Sequence, residues 1–244
     1  MNLVLFEPGE LGAPLRRDDP RALHLLGVLR RGVGDPFDAG VTDGPLGQAT
    51  LTDIGATALR FEFRPQREPP PLPNIHLLVG LPRPSTARDI LRDATTCGVR
   101  SLQFVSTERT QASYAQSSLW TSGEWRRLLL IGAAQAFDTR LPIVRWGHTL
   151  QEAAALVGDG TLLALDNYEA TAHLAEHRPA PQGEPTWLAV GPERGWGAAD
   201  REVLRGAGFT LHHLGPRVLR VEMAVVAAHA VVSGANYRKF NIAR

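Results

Sequence analysis

The sequence predicts an α/β protein made of a small β-rich head and a larger body with a parallel sheet. Short strands separated by turns fill residues 1–67, and strands alternate with helices from Asn74 onward. Between these regions lies a run of prolines, which favours a stiff and extended linker. We therefore expect a head at 1–67, a linker at 68–73 and a body at 74–244.

The head is predicted to contain one helix among its strands. Asp18-Asp19-Pro20 suits a helix start, because Asp caps helices and Pro is tolerated in the first turn. Leucines follow near helical spacing until Gly32 and Gly34, which we expect to end the helix. Strands are predicted at Asn2–Phe6, Pro36–Val41, Gly47–Ile54 and Ala58–Phe63, a spacing typical of a small barrel.

The body is predicted to alternate between strands and helices along its length. Capping-box sequences at Thr121–Glu124 and Thr149–Glu152 predict two of the helix starts. Such alternation predicts a parallel sheet with helices on both faces. The predicted strands are Ile75–Leu81, Leu102–Val105, Ile143–Arg145, Thr161–Leu165, Leu188–Val190 and Thr210–Leu214, and the other predicted helices are Ser85–Thr96, Ala198–Ala207 and Val221–Ser233.

Composition excludes several kinds of site. The formal net charge is only +1, so nucleic-acid binding would depend on local clusters of arginine. The single cysteine, Cys97, rules out an internal disulfide and fits a reducing compartment. His212 and His213 alternate across a strand, so we expect no shared metal. The N-terminus does not read as a signal peptide, and the apolar stretches are shorter than the ~20 residues that span a bilayer, so we expect a cytoplasmic protein.

Two predicted strands break abruptly into Gly-Pro turns, at Gly191-Pro192 and at Gly215-Pro216. Ligands of parallel sheets bind beyond the carboxyl ends of the strands, where Asp166 is also expected. We therefore predict that the two turns wall a binding notch. Because proline donates no hydrogen bond, such a notch suits a flat ligand such as an adenine better than a chain of phosphates.

Four charged residues flank these turns. Glu193 lies inside the first turn, either as an exposed loop acid or as a carboxylate of the site. Arg217 and Arg220 flank the second turn, where they either face solvent or hold an anionic substrate. Glu222 follows at once, and a simple ion pair with one of these arginines is an alternative to a role in the site.

The residues around both turns resemble a known family. Leu188–Glu193 and Leu214–Glu222 are similar to the paired signature of the small-subunit ribosomal RNA uridine-N3 methyltransferases, which belong to the knotted SPOUT class. The second run is the more specific, with the pattern L-G-x-R-[IV]-L-R-x-E. Further similarity lies in His24–Arg30, in the Asp43-Gly44 turn and in Ser106–Arg109.

This resemblance implies a PUA-like β-barrel in the head and a body whose C-terminal segment forms a deep trefoil knot. It also implies a homodimer and methylation of N3 of a uridine in 16S ribosomal RNA. The cofactor implied is S-adenosylmethionine, bound in the knot. The cofactor-binding residues implied are Leu165, Asp166, Val190, Gly191, Pro192, Glu193, Leu214, Gly215, Pro216, Val218 and Leu219.

The implied chemistry is methyl transfer to a ring nitrogen that carries a proton, which requires a base or a stabilised anion. Our hypothesis is that Arg220 or Arg217 stabilises the negative charge that develops on the uracil. Glu193 and Glu222 complete the predicted catalytic set. Three further arginines are predicted to contact RNA, namely Arg30, Arg31 and Arg109.

The chain also departs from the family pattern. Arg194 replaces the first of two paired glycines, and Val221 and Met223 stand where the family has threonines. These departures motivate one alternative, a SPOUT-fold RNA-binding protein with altered substrate or lost catalysis. A second alternative is a nucleotide-binding protein of ordinary doubly wound topology, which would follow from the α/β pattern alone.

Overall fold

The computed structural model describes residues 3–181 and 183–237, with side chains described up to residue 234. The chain divides into two compact units. The first consists of Met1–Pro71 and Leu130–Leu141, and the second of Leu72–Leu129 and Pro142–Arg244. Each unit has a sheet and a core of its own.

The first unit is built on a five-stranded sheet that curls into half of a barrel. Three of its strands form an antiparallel meander, and the first strand pairs parallel with the third. The strands are β1 (Val4–Phe6), β2 (Leu15–Arg16), β3 (Pro36–Val41), β4 (Leu46–Ile54) and β5 (Ala58–Arg67), in the order β1-β3-β4-β5-β2. Phe6 and Phe61 stack in its core, with ring centroids 4.6 Å apart.

The helix of the first unit begins where the sequence predicts and ends earlier. Helix α1 (Pro20–Leu23) is capped by Asp19, whose carboxylate accepts from the Arg21 amide, and it continues as a π-helix over His24–Val28. Arg30 takes a φ of +51°, which is outside helical geometry. The predicted extension to Gly32 is therefore wrong, because the helix ends at Val28, four residues before that glycine.

The second unit contains a seven-stranded sheet in which every pairing is parallel, as the alternation predicted. Its strands are β6 (Ile75–Gly80), β7 (Ser101–Ser106), β8 (Ile143–Thr149), β9 (Thr161–Leu165), β10 (Ala172–His173), β11 (Thr186–Val190) and β12 (Thr210–His213). Their order is β10-β12-β9-β11-β6-β7-β8. Strand β10 was not predicted, since two residues are too short for a periodic pattern.

Helices cover this sheet. Only some of them begin at a capping residue that the sequence indicates. The helices are α2 (Pro84–Cys97), α3 (Ser118–Thr121), α5 (Leu150–Ala154), α6 (Ala198–Gly206) and α7 (Val221–Tyr237), while α4 (Glu124–Ala136) begins in the second unit and ends in the first. The predicted capping box at Thr149 and Glu152 is present with both of its hydrogen bonds. The predicted cap at Thr121 is wrong, because Thr121 ends α3 and its hydroxyl donates to the Ser117 carbonyl.

Helix α7 completes the core of the second unit. Its apolar stripe of Val221, Val225, Ala228 and Val232 is buried, with 6% exposure or less. No helix in residues 3–181 and 183–237 is long and apolar enough to cross a membrane. The sequence also predicts a polar tail at Asn236–Arg244, of which Asn236 and Tyr237 belong to α7 and the rest lies outside the described residues.

Candidate functional site

A cavity of about 490 Å³ lies in the second unit, where three loops meet. The loops follow β9, β11 and β12, which are neighbours in the sheet, and comprise residues 166–169, 191–197 and 214–220. Since all three strands are parallel, their carboxyl ends share one edge. The structure therefore brings the two Gly-Pro turns and the Asp166 loop together, as the sequence predicts.

Most of the predicted site residues line this cavity. Among them are the lining residues Leu165, Asp166, Val190, Gly191, Pro192, Glu193, Leu214, Arg217, Val218, Leu219, Arg220 and Glu222. Gly215 and Pro216 are not part of the lining. Gly215 turns the chain with a φ of +102°, and Pro216 is exposed. These two residues shape the loop instead of forming the cavity surface.

The loop after β11 is held by its surroundings. A Cβ on Gly80 would collide with the Pro192 ring, so the end of β6 packs closely against the first Gly-Pro turn. The indole Nε1 of the fully buried Trp196 donates to the Leu165 carbonyl at 2.9 Å. Arg109 Nη1 donates to the Arg194 carbonyl at 2.7 Å. Contacts from three other segments therefore set the shape of this loop.

The end of the same loop is held by the Ser106–Arg109 segment. The Asp200 carboxylate accepts from the amides of Gly197 (2.8 Å) and Glu108 (3.1 Å). A Cβ on Gly197 would overlap the Glu108 side chain, so any larger residue there would require Glu108 to move. The Thr-Glu-Arg sequence therefore acts as a support for the cavity wall.

The Asp166 carboxylate is committed to the protein. It forms a 2.8 Å ion pair with Arg201, and the two side chains are 2% and 7% exposed. Its other oxygen accepts from the amides of Tyr168 (2.8 Å) and Glu169 (2.6 Å). The carboxylate therefore holds the loop after β9, while Asp166 stays a predicted cofactor-binding residue in the lining of the cavity.

Glu193 stands on the wall between this cavity and a second one of about 440 Å³. Its Oε1 accepts from the Arg83 amide at 3.1 Å and lies 3.2 Å from Arg83 Nε. Among the described residues no group forms a hydrogen bond or an ion pair with its Oε2. One carboxylate oxygen is therefore positioned by Arg83, and the other is available to a ligand.

The two arginines of the second turn differ in their contacts. Arg220 Nε lies 2.8 Å from Glu222 Oε1, which matches the simple ion pair foreseen as the alternative for Glu222. Arg217 is exposed and makes no ion pair or hydrogen bond with any described residue. Arg217 is therefore the more available of the two cations for an anionic group.

The three arginines predicted to contact RNA fall in both units. Arg109 belongs to the second unit and lines the second cavity. Arg30 and Arg31 belong to the first unit, where Arg30 is exposed and the Arg31 amide donates to the Leu25 carbonyl at 2.9 Å. The Arg31 side chain is half-buried.

The histidines of β12 are occupied by local contacts. His212 is buried, burial lowers its pKa, and its Nε2 lies 3.0 Å from the Thr210 hydroxyl. His213 Nδ1 accepts from the Gly215 amide at 3.0 Å. Within the part of the chain that the structure describes, no three side chains of His, Cys, Asp or Glu gather as a metal site would require.

Several lining residues escaped the sequence argument. Arg83 follows β6 and lies between two prolines. Because ligands of parallel sheets bind beyond the carboxyl ends of the strands, its position at the end of β6 could have identified it as a lining residue. Tyr168 projects from the Asp166 loop with 74% exposure, and its ring lies 5.3 Å from the Arg201 guanidinium carbon. Nothing in the local sequence around Tyr168 indicates that contact, since Arg201 is 33 positions away.

The chain is similar to known proteins over nearly its whole length. A family model described as an RNA methyltransferase domain matches residues 68–233. The Ribosomal RNA small subunit methyltransferase E of Treponema pallidum (strain Nichols) is 34% identical over 95% of this chain and 90% of its own length. The Ribosomal RNA small subunit methyltransferase E 1 of Borreliella burgdorferi is 25% identical, with 96% and 98% covered.

Solved structures share the fold. A probable rRNA-methyltransferase from Porphyromonas gingivalis superposes with a TM-score of 0.78 at 18% identity, covering 96% of this chain and all (100%) of that one. A Ribosomal RNA small subunit methyltransferase E from Neisseria gonorrhoeae, bound to S-adenosyl methionine, superposes with a TM-score of 0.74 at 22% identity, covering 96% and 97%. At these identities the likeness establishes the architecture of both sheets.

Proposed function

This chain belongs to the RNA methyltransferase domain family, and we propose that it methylates N3 of a uridine in small-subunit ribosomal RNA in the cytoplasm. The observation that carries the proposal is the cavity beyond β9, β11 and β12. It is large enough for a cofactor, and its lining includes the Glu193 carboxylate and the unpaired Arg217 guanidinium. The methyl donor is S-adenosylmethionine. The relatives from Treponema pallidum and Borreliella burgdorferi support ribosomal RNA as the substrate.

The residues present fit this donor. A volume of about 490 Å³ lies within the range of small-molecule sites. Leu165, Val190, Leu214 and Leu219 supply apolar walls for an adenine ring. Pro192 and Pro216 remove amide donors from both turns, so the loops do not form the cradle of amides that a chain of phosphates requires. When bound, the donor supplies an electrophilic methyl group on its sulfonium.

Three side chains around the cavity are assigned different roles in the methyl transfer. Glu193 Oε2 is the proposed acceptor of the N3 proton, because Arg83 holds Oε1 and leaves Oε2 without a described partner. Arg217 is the proposed stabiliser of the negative charge on the uracil oxygens, since it is unpaired. Arg220 keeps Glu222 in place through their 2.8 Å ion pair, so its role is to position that end of the loop.

The same proposal includes the knot and the homodimer. The chain passes from the central β11 to β12 on the far side of β9, and α7 then returns to pack against α2 and β11. That path is compatible with a threaded C-terminal segment. Met223 and Val226 are 55% and 37% exposed on α7 and would be covered by a second copy of the chain.

The curled sheet of the first unit is proposed to be a PUA-like RNA-binding head. Arg30 is exposed at the end of its helix, where it can reach a phosphate, and Arg31 follows it. The domain boundaries also remain part of the proposal, with the head at 1–67, the linker at 68–73 and the body at 74–244.

The decisive experiment maps methylated nucleosides by mass spectrometry in 16S ribosomal RNA from cells with and without this protein. We expect one N3-methyluridine to disappear with the gene and to return with the wild-type chain. Loss of a different modification would overturn the uridine-N3 assignment. No change at any nucleotide would favour the alternative of an RNA-binding protein without catalysis.

A second experiment separates the roles of the side chains. Donor binding is measured by calorimetry, and single-turnover methyl transfer is measured on 16S ribosomal RNA, for Glu193→Gln, Arg217→Ala and Arg220→Ala. We expect the first two variants to bind the donor and to lose transfer by about 10²-fold or more. Arg220→Ala should lose less, and an Arg217→Ala variant with unchanged transfer would remove Arg217 from the mechanism.

A further inference from the structure

The second cavity holds a set of side chains that the proposed methyl transfer leaves unused. It has a volume of about 440 Å³ and shares the Pro192–Arg194 wall with the first cavity. We propose that it binds one unpaired RNA nucleotide next to the target uridine, with the phosphate at Arg194 and Arg109 and the base against Tyr114. This proposal rests on the proposed function and identifies the segment of substrate that the site recognises.

The charge of this cavity favours an anion. Its lining carries three guanidinium groups, from Arg83, Arg109 and Arg194, and one carboxylate, from Glu193. Arg83 and Glu193 neutralise each other through the 3.2 Å ion pair. The two remaining guanidinium groups have no carboxylate partner among the described residues. Arginine binds phosphate with two parallel hydrogen bonds, so this pair suits the phosphodiester backbone of RNA.

The two unpaired arginines are linked by one hydrogen bond, from the side chain of Arg109 to the backbone of Arg194. Arg109 Nη1 donates to the Arg194 carbonyl at 2.7 Å, which fixes the Arg109 guanidinium beside the first Gly-Pro turn. Its other nitrogens make no hydrogen bond to described protein groups. The Arg194 side chain is exposed and leaves from the same residue whose carbonyl Arg109 contacts. Because both residues also line the second cavity, the proposal assigns the phosphate to these two guanidinium groups.

A base-binding surface lies in the same cavity. The Tyr114 side chain lines it and is half-buried, and no described group hydrogen-bonds to its hydroxyl. The backbone around Tyr114 is ordered by two contacts, since its carbonyl accepts from Trp120 Nε1 at 3.1 Å and its amide donates to the Gln111 carbonyl. Gln111 adds an exposed amide that can read a base edge. Aromatic rings beside paired cations are the usual means of binding single-stranded nucleic acid.

The position of the wall explains why the two cavities would take successive nucleotides. Glu193 lines both of them, with Oε1 turned to Arg83 and Oε2 without a described partner. A uracil presented to Glu193 from the first cavity would have its neighbour across the Pro192–Arg194 wall. This arrangement also accounts for Arg194, the residue that stands where the family pattern has a glycine. Its side chain supplies a phosphate contact that glycine cannot make.

The test uses the full chain and a single-stranded RNA oligonucleotide with one central uridine, with binding followed by fluorescence anisotropy over a series of salt concentrations. Arg194→Ala keeps the carbonyl that Arg109 contacts and removes only the guanidinium. We expect RNA affinity to fall about tenfold and the slope of log K against log salt to decrease by about 0.7. Arg178→Ala is the matched control, because Arg178 is also an exposed arginine of the second unit, and it should change neither value.

The base contact is tested in the same assay. Tyr114→Leu should weaken RNA binding about tenfold without changing the salt slope, and Tyr114→Phe should bind like the wild type because the ring remains. If Tyr114→Leu fails to fold, Gln111→Ala replaces it, with a smaller expected loss. Calorimetry with S-adenosylmethionine should give the wild-type affinity for Tyr114→Leu and Gln111→Ala, because these two residues line only the second cavity.

The outcomes distinguish this proposal from the function on which it rests. If Arg194→Ala and Tyr114→Leu both bind the RNA as tightly as the wild type, the nucleotide site is wrong, whether or not the enzyme methylates. If both weaken binding while the wild type transfers no methyl group to any RNA, the nucleotide site stands and the catalytic proposal fails. If Arg178→Ala weakened RNA binding as much as Arg194→Ala, the loss of affinity would follow from the change in net charge alone, and the proposed nucleotide site would be wrong.

Discussion

The walls of the first cavity differ in how they are held. The loops at 166–169 and 191–197, called here the pinned walls, are tied to their surroundings by a buried ion pair, by the Trp196 indole and by Arg109. The loop at 214–220, called here the open wall, has fewer contacts of this kind. Its described side-chain contacts are the Gly215 amide to His213 and the pair of Arg220 with Glu222, and Val218 is 82% exposed.

This difference indicates that the two kinds of wall serve different purposes. The pinned walls are set by folding alone, so they present a preformed half of the site. The open wall has few buried contacts, and segments of that kind open locally at low free energy. We infer that donor binding completes the open wall, and the following predictions test this contrast.

The largest effect is expected at the buried ion pair of the pinned walls. Arg201→Ala leaves the Asp166 carboxylate buried without its cation, which should lower the free energy of unfolding by about 3–5 kcal/mol. Arg205→Ala is the control, because Arg205 is 48% exposed and pairs with Glu169 at the surface, so its loss should be below about 1 kcal/mol. Urea unfolding measures both, and equal losses would show that the buried pair does not hold the wall.

The next largest effect is a dependence of the free energy of unfolding on pH. It arises from His229 on α7, the helix that follows the open wall. Burial lowers the pKa of His229 to about 4, so the folded protein holds this imidazole neutral beside Ser233. Between pH 6.5 and pH 4 the unfolded chain binds more protons than the folded one, so stability falls as the pH falls through this window. The loss from pH 7.5 to pH 5 should be about 2 kcal/mol from this residue.

This pH dependence is measured by urea unfolding at several pH values. His229→Gln should flatten the curve between pH 7.5 and pH 5, whereas His148→Gln, at an exposed position, should leave the slope as it is in the wild type. A His229→Gln curve that matches the wild type would show that burial of His229 is not linked to stability.

A smaller effect is expected from glycines beside the two Gly-Pro turns. Gly80→Ala would push a Cβ into the Pro192 ring, and overpacking of this kind costs about 1–3 kcal/mol. It should also weaken S-adenosylmethionine binding, because Pro192 lines the cavity. Gly215→Ala meets no neighbouring atom, so only the strain of its φ of +102° remains, about 1 kcal/mol. If Gly215→Ala weakened donor binding more than Gly80→Ala, donor binding would depend more on the conformation of the open wall than on that of the pinned walls.

The last prediction concerns exposure of the open wall and involves no change in sequence. Arg217 and Arg220 are exposed, so trypsin should cleave after them in the free protein. Saturating S-adenosylmethionine should slow this cleavage by about tenfold, since only the open form is cut and the donor stabilises the closed form. NAD is the control ligand and should give no protection. Equal cleavage with and without the donor would contradict the proposed role of the open wall.

Much of the architecture could be predicted because its signals are local. Asp19 caps α1, and Thr149 and Glu152 form their capping box, from residues three positions apart or fewer. The parallel sheet followed from the alternation of strands and helices, and the location of the cavity followed from two Gly-Pro turns at strand ends. Local signals failed at Thr121 and Arg30, where helix boundaries depend on neighbouring segments.

The functions of individual side chains at the site were decided by the tertiary structure. Asp166 and Arg201 are 35 positions apart, and Arg109 and Arg194 are 85 apart, so no spacing in the sequence indicates that they meet. These contacts commit the Asp166 carboxylate to the protein, leave Arg217 as the less constrained arginine, and place Arg83 against Glu193. The sequence by itself determined the fold class, the turns and the residue types around the cavity, because backbone preferences act over a few residues. Which of those residues remain free for chemistry depends on partners that only folding brings within hydrogen-bonding distance.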